Sequence, residues 1–357
     1  EIEGVEINRN IIRGASRDFD RFAGGVYHHP HVRIANAEGR HYLRRSSTRY
    51  DLLQISGVDT YAASQAGAFA LSENFLYTVE AFKEYLEHLS PEGTLTMTRW
   101  LYRPDRHTIR LCAIADVAYR ALGLGDAAPR MVILSSGAVN SPGDLSLILA
   151  RRAPFRPDEL RAIRVLAAAN GFDVVWSPDS PTTENPFERY FRAPDRAAFV
   201  RDYHYRIEAT TDDTPFFFEY NRFTRLRSSR ELVFGAASGQ ALLVATFLLA
   251  LVGGALGLLL PPWLKRRREG ATGAAMAGGE ALTFLALGLG YIAVESVFVP
   301  KFTLFLGNPV HALSVVLFAL LVSSGVGSAL SSRVVRGEAD RLAAVAAAVA
   351  ALLVAEG

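Results

Sequence analysis

The sequence predicts an α/β chain: a doubly wound, mostly parallel sheet followed by an α-helical transmembrane region. Three observations predict it. Short β-rich runs alternate with helical-period segments through residues 1–176, the pattern of parallel strands joined by crossover helices. One run, YDLLQIS, ends in a polar, acidic tip, Ser56-Gly57-Val58-Asp59, and ligands of such sheets sit outside the carboxyl ends of the strands. Beyond residue 236, long uncharged runs take over.

In order, Ile2 to Ile7 is a β-rich run containing Glu6. Asn10 to Phe22 reads as a helix, and His31 to Ala35 as the next strand. Arg40 to Arg45 is a short helix or turn after the acidic-Gly pair Glu38-Gly39. Tyr50 to Ile55 is nearly all apolar, as expected of a parallel strand buried on both faces. Ser72 to Leu89 is a helix, since Phe75, Leu76, Val79, Phe82, Leu86 and Leu89 recur at helical spacing. Pro91-Glu92-Gly93 is a turn before a strand at Thr94 to Thr98. Thr108 to Leu122 is a helix and Arg130 to Ser135 a strand. Pro157 to Asn170 is a helix stopped by Gly171, and Phe172 to Trp176 is a further short strand. Residues 177–235 read as a cap or linker.

Residues 236–357 hold three candidate spans and a possible fourth. Gly239 to Trp263 is uncharged and exceeds the roughly 20 residues a bilayer requires. Ala281 to Val299 is interrupted by Glu295, for which Lys301 is a candidate partner. Ionisable groups in a span are costly and usually face a bundle interior or pair. Val310 to Leu330 carries small residues that let membrane helices approach closely. Leu342 to Ala355 is either a truncated span or an Ala-rich soluble helix.

The chain has 357 residues and a net charge of +2, which points to neither nucleic acid nor an acidic partner. Its one cysteine, Cys112, excludes an intrachain disulfide framework and reads as a small buried apolar residue. The eight histidines show no metal-ligand spacing, and no metal site is expected. The chain begins at Glu1 and stops inside an apolar run, so a fragment cut at both ends is expected.

The chemistry-bearing candidates lie at strand ends. Glu6 is either a ribose-hydroxyl acceptor or a solvated strand-end carboxylate. Glu38 is placed to meet an adenine amino group, with Gly39 allowing close backbone approach, or the pair is an ordinary turn. Asp59 is an acceptor for an amine's proton or a helix-capping aspartate. Asp212-Asp213 is either a second acidic patch or, the preferred reading, a turn capping Pro215-Phe216-Phe217-Phe218. Tyr61 and Tyr77 are pocket walls or core.

The runs GVEIN, NAEGRHYL, YDLLQISGVD and LSPEGTL resemble the spermidine synthase family of aminopropyltransferases, with the class I S-adenosylmethionine-dependent methyltransferase fold. SGVDTYAASQAGAFALSENFLYTVEAF, TDDTPFFF and the segment from Gly290 to Arg333 look like bacterial membrane-embedded spermidine-synthase-like proteins. The resemblance implies a Rossmann-like sheet lacking its first strand, whose residues and Gly-rich loop would precede Glu1. It further implies S-adenosylmethionine or its decarboxylated form as cosubstrate. Glu6 then matches the ribose-binding acid, Glu38 the acid of an Asp-Gly pair near adenine, and Asp59 the second Asp of an active-site DxxD. The first Asp of that motif, which activates the attacking amine, is Ser56 here, and the Pro after the second is Thr60.

Two functional readings stand. One is a membrane-bound transferase that moves an aminopropyl or methyl group to a small-molecule amine or other acceptor, with Asp59 and Ser56 at the catalytic tip. The other is a catalytically degenerate scaffold, sensor or transport protein. The partners expected are the lipid bilayer and a small acceptor, with homo-oligomerisation open. The basic residues at 265–268, 333, 336 and 341 lean toward one side of the membrane. The cofactor outweighs that lean and places the α/β domain in the cytoplasm, at a bacterial inner membrane.

Overall fold

The computed structural model describes residues 1–57, 73–137, 144–180, 185–222, 245–257, 260, 264, 278–306 and 309–334. The chain divides into two compact units, Glu1–Tyr42 with Ala275–Gly357, and Leu43–Ala274. In the first, strand β1 (Ile2–Glu6) pairs in parallel with β2 (Val32–Asn36), Ile2 opposite Val32 and Glu6 opposite Asn36. The second holds five strands: β3 (Tyr50–Ser56), β4 (Leu89–Trp100), β5 (Met131–Ser135), β6 (Leu145–Arg151) and β7 (Asp173–Trp176). Their order is β3-β4-β6-β5-β7. β3 and β4 are parallel, while β6 runs antiparallel to both β4 and β5, so β3, β4 and β5 point one way. β7 pairs antiparallel with β5. The result is a mixed, parallel-rich α/β architecture.

One expectation is corrected. β3 is not buried on both faces: it is an edge strand, and Leu52 is 57% exposed. The strand buried on both faces is β5. Its Met131 and Ile133 join the main core, while Val132 and Leu134 pack with Leu160 and Ala167 of α5 (Pro157–Ala169) on the opposite face.

Two helices build the main core. α3 (Val79–Glu87) buries Val79, Phe82 and Leu86 on one face. The helix expected from Ser72 starts only there, because Thr78 caps it by accepting the Ala81 N–H at 3.1 Å. α4 (Thr108–Ala121) is buried almost all round, including Cys112, whose thiol burial pushes well up. α1 (Arg9–Arg13) and α2 (Gly39–Arg45) flank β2; the helix expected to reach Phe22 gives way to a π-turn at Gly14–Asp18. Strand β6 has no counterpart in the sequence reading.

The turn expected at Pro91-Glu92-Gly93 lies inside β4 as an irregularity: Tyr50 pairs with Leu89, but Leu52 pairs with Thr94. Gly93 makes this bulge possible. A Cβ there would stand 2.5 Å from the Tyr50 carbonyl oxygen and 2.9 Å from the Ser90 nitrogen. Both neighbours are backbone and cannot swing aside. Gly93→Ala should therefore destabilise the protein by about 1–3 kcal/mol, an overpacking cost, read as a lower thermal midpoint of the full chain.

The cap region holds α6 (Pro186–Phe191) and α7 (Arg196–Asp202). Arg196 donates to Asp116 of α4 at 2.5 Å and to Asp126 at 2.7 Å. The expected first span is described as helix α8, Ala245–Gly257. The second and third expected spans are helices α9 (Gly278–Leu306) and α10 (Pro309–Val334). Among the described residues one helical stretch, His311–Leu330, is long and apolar enough to cross a membrane. The Leu342 to Ala355 run lies outside the described residues.

Candidate functional site

The first group of site residues grows from the parallel pair β1–β2. Parallel pairing brings both carboxyl ends to one edge, where Asn36 ties them together. Its side-chain amide donates to the carbonyls of Glu6 and Ile7, each at 2.9 Å. The Glu6 carbonyl also accepts the Ala37 N–H at 3.2 Å. Glu6 and Glu38 thus leave neighbouring strand ends.

Glu6 is half-buried, and its Oε1 accepts the Asn8 N–H at 2.7 Å. Glu38 caps α2, accepting the Arg40 N–H at 3.1 Å and the His41 N–H at 2.7 Å through separate oxygens. A carboxylate offers about four lone-pair sites, so acceptor capacity remains on both acids. A Cβ built on Gly39 meets nothing within 4 Å, and its φ is not positive. The fold itself does not require glycine there.

The second group lies at the carboxyl edge of β3, β4 and β5. Ser56 ends β3 exposed, opposite Thr98, and is followed by Gly57 at φ +52°. Asp59, Thr60 and Tyr61 lie outside the described residues. Tyr77 is core: it is 1% exposed and its hydroxyl accepts from Arg99 Nη1 at 2.9 Å. Beside it the structure assembles residues that the sequence reading did not single out.

Arg99 projects from the buried face of β4. Asp105, Arg106 and His107 fill the loop from β4 into α4. Asp105 Oδ1 accepts the Ile109 N–H at 2.7 Å, and burial pushes its carboxyl up to about 7. His107 is 4% exposed, and neither ring nitrogen has a partner among the described residues. Burial, then the charges of Arg99, Arg106 and Arg110, depress its pKa well below the usual histidine range. On β5 and β6, Asp144 accepts from the hydroxyls of Ser135 and Ser136, each at 2.9 Å. The available signal was the polar run Arg103 to His107, which lies between a strand and a helix at the expected edge.

Asp212-Asp213 does form the expected turn, Thr214 N–H to Thr211 carbonyl at 3.0 Å. Asp212 also accepts the Thr78 hydroxyl at 2.7 Å, docking the turn on the start of α3. Glu295 is half-buried on α9, and no ion pair joins it to Lys301. Six residues apart on a helix, the two do not share a face. Among the described residues no three His, Cys, Asp or Glu side chains are grouped to hold a metal.

No family model matches the chain, and no curated protein does. Solved structures similar to it include a spermidine synthase from Thermotoga maritima, 18% identical with a TM-score of 0.30, covering 44% of this chain and 50% of that one. A probable spermidine synthase from Corynebacterium glutamicum is 13% identical at a TM-score of 0.37, covering 59% and 63%. A spermidine synthase bound to the transition-state analogue AdoDATO is 16% identical at 0.28, covering 44% and 49%. The chain thus spans between about half and two thirds of the length of these structures.

Proposed function

We propose that the chain holds an adenosyl compound, S-adenosylmethionine or its decarboxylated form, and transfers an aminopropyl or methyl group from it to an acceptor at a membrane. The observation that carries this reading is the placement of Glu6 and Glu38 at the joined carboxyl ends of β1 and β2. Glu6 accepts hydrogen bonds from the ribose hydroxyls. Glu38, held by its cap on α2, faces the adenine amino group across the open space at Gly39. The resemblance gives Asp59, three residues beyond β3 in sequence, the role of orienting the acceptor. A serine hydroxyl does not act as a carboxylate base at neutral pH, so Ser56 contributes a hydrogen bond rather than proton abstraction.

The membrane part of the reading is supported by α8, α9 and α10. Phe247, Leu251, Leu289, Ile292, Phe318 and Leu321 are all exposed on them, and exposed apolar surface on a long helix needs a cover. Lipid is the cover proposed.

Gly39→Val tests the site. A Cβ at this position meets nothing within 4 Å among the described residues, so the thermal midpoint should stay near wild type. Binding of labelled S-adenosylmethionine or its decarboxylated form by the full chain should fall by about tenfold or more, the scale of a steric block on one strong contact. Unchanged binding would overturn the placement. If neither form binds the wild type, the scaffold reading, which Ser56 at the strand tip favours, takes its place.

A further inference from the structure

The loop entering α4 gathers cationic and aromatic groups with too little negative charge to match them. Arg106 lies with its guanidinium carbon 3.8 Å from the Tyr102 ring centroid and 4.5 Å from that of Tyr220, and its buried Nε has no partner among the described residues. Beside it, the His107 ring sits 4.9 Å from Tyr102 and 5.4 Å from Tyr220. Two orphaned nitrogens on a buried imidazole leave its desolvation uncompensated.

The neighbouring groups do not answer this demand. Arg110 is committed to backbone carbonyls and Arg99 donates to Tyr77. The carboxyl within the loop, Asp105, turns back to cap the helix, and burial leaves it only partly ionised at neutral pH. A cationic amine would meet two guanidiniums and an imidazole here, while Glu208 and Glu219 face Arg110 and pair with Arg222 and Arg206. An oxyanion would find a charged N–H donor and an imidazole at the start of a 14-residue helix, where negative charge is favoured.

We infer that Arg106 and His107, at the start of α4, bind an oxyanion, a carboxylate or phosphate carried by a small molecule, beside the carboxyl edge of β4. Identifying that molecule as the group acceptor rests on the transferase reading. The oxyanion site itself does not. On this reading the acceptor is anionic, with its reacting atom held toward the tip of β3 while its anion is anchored at α4.

The test titrates the full chain with succinate, inorganic phosphate and putrescine, with chloride held constant, and reads binding by calorimetry and thermal midpoint. Wild type should bind succinate or phosphate saturably, and the better of the two names the source of the oxyanion. Putrescine should not bind. Arg106→Gln should weaken the anion by about tenfold, the loss of one charge-assisted contact. Arg106→Lys should recover part of that, because charge survives and the planar fork does not. His107→Gln, which keeps one donor, checks the effect should either Arg106 variant fail to fold. Putrescine binding in place of anions, no saturable anion binding, or equal anion affinity in wild type and Arg106→Gln overturns the proposal. S-adenosylmethionine titrated into the same samples reports the adenosyl site separately, so either inference can fail alone.

Discussion

Arg110→Met should destabilise the protein by about 3–5 kcal/mol, the cost of breaking a buried charged network at one partner. Arg110 is 2% exposed. Its Nε donates to the Glu208 carbonyl at 2.9 Å, and its Nη1 reaches the carbonyls of Phe216, Phe217 and Glu219 at 3.1, 2.7 and 2.8 Å. Burial opposes the charge and lowers its pKa to about 10, so the ion is retained by those carbonyls. Methionine matches the stem and offers no donor. The released carbonyls then lose partners worth about 1.5–3 kcal/mol each when charge-assisted, less than additively. Relief of the buried charge returns only part of this. The loss should also free the TDDTPFFF strap, exposing Phe217, which is fully buried against Tyr77. Chemical denaturation of the full chain, with limited proteolysis at residues 208–222, measures both effects. A change below about 1 kcal/mol would contradict the clamp.

The second large effect is a pH dependence. Burial pushes the Asp105 carboxyl up to about 7, whereas an unfolded aspartate titrates near about 3.9. Between those values the folded chain holds a proton that the unfolded chain has released. Stability is therefore fully present below about pH 4, falls as pH rises, and levels off above about pH 7. At about 1.4 kcal/mol per pH unit the drop is of order 4 kcal/mol. Hydrogen bonds from Ile109 and Tyr102 and the charge of Arg106 already act against burial. Asp105→Asn keeps an oxygen for the Ile109 N–H and removes the titration. Its stability profile should be flatter than wild type between pH 4 and 7 by that order of magnitude. Parallel profiles would rule out Asp105 as the titrating group.

Much of the α/β alternation was legible because its signals are local. The apolar spacing of Val79, Phe82 and Leu86 made α3 visible, and Gly171 marked the end of α5 within two residues. Strand β6 was not legible. Ser146, Ile148 and Ala150 lie on one face and Leu145, Leu147 and Leu149 on the other, so apolar residues fall on both and alternation is masked. Its insertion between β4 and β5 is non-local pairing, invisible to spacing. β3 reads as an interior strand by composition, yet an exposed Leu52 shows that burial depends on a neighbour rather than on the strand itself.

The site divides the same way. Glu6 and Glu38 were placed correctly at strand ends because a strand's end is a local property. The convergence of Arg99 on Phe218 and of His107 on Phe217 and Phe218 joins residues more than a hundred positions apart. A lone histidine after Arg-Pro-Asp-Arg gives no sign of being enclosed by them.

The most direct measurement pairs a ribose deletion with an acid deletion. Affinities of S-adenosylmethionine and its 2′-deoxy analogue are compared on full-length wild type and on Glu6→Ala. If Glu6 holds the ribose, the missing hydroxyl weakens wild type by about tenfold, one hydrogen bond to a charged group, and weakens Glu6→Ala little further. The same penalty in both proteins would show that the carboxylate at the end of β1 does not touch the nucleoside.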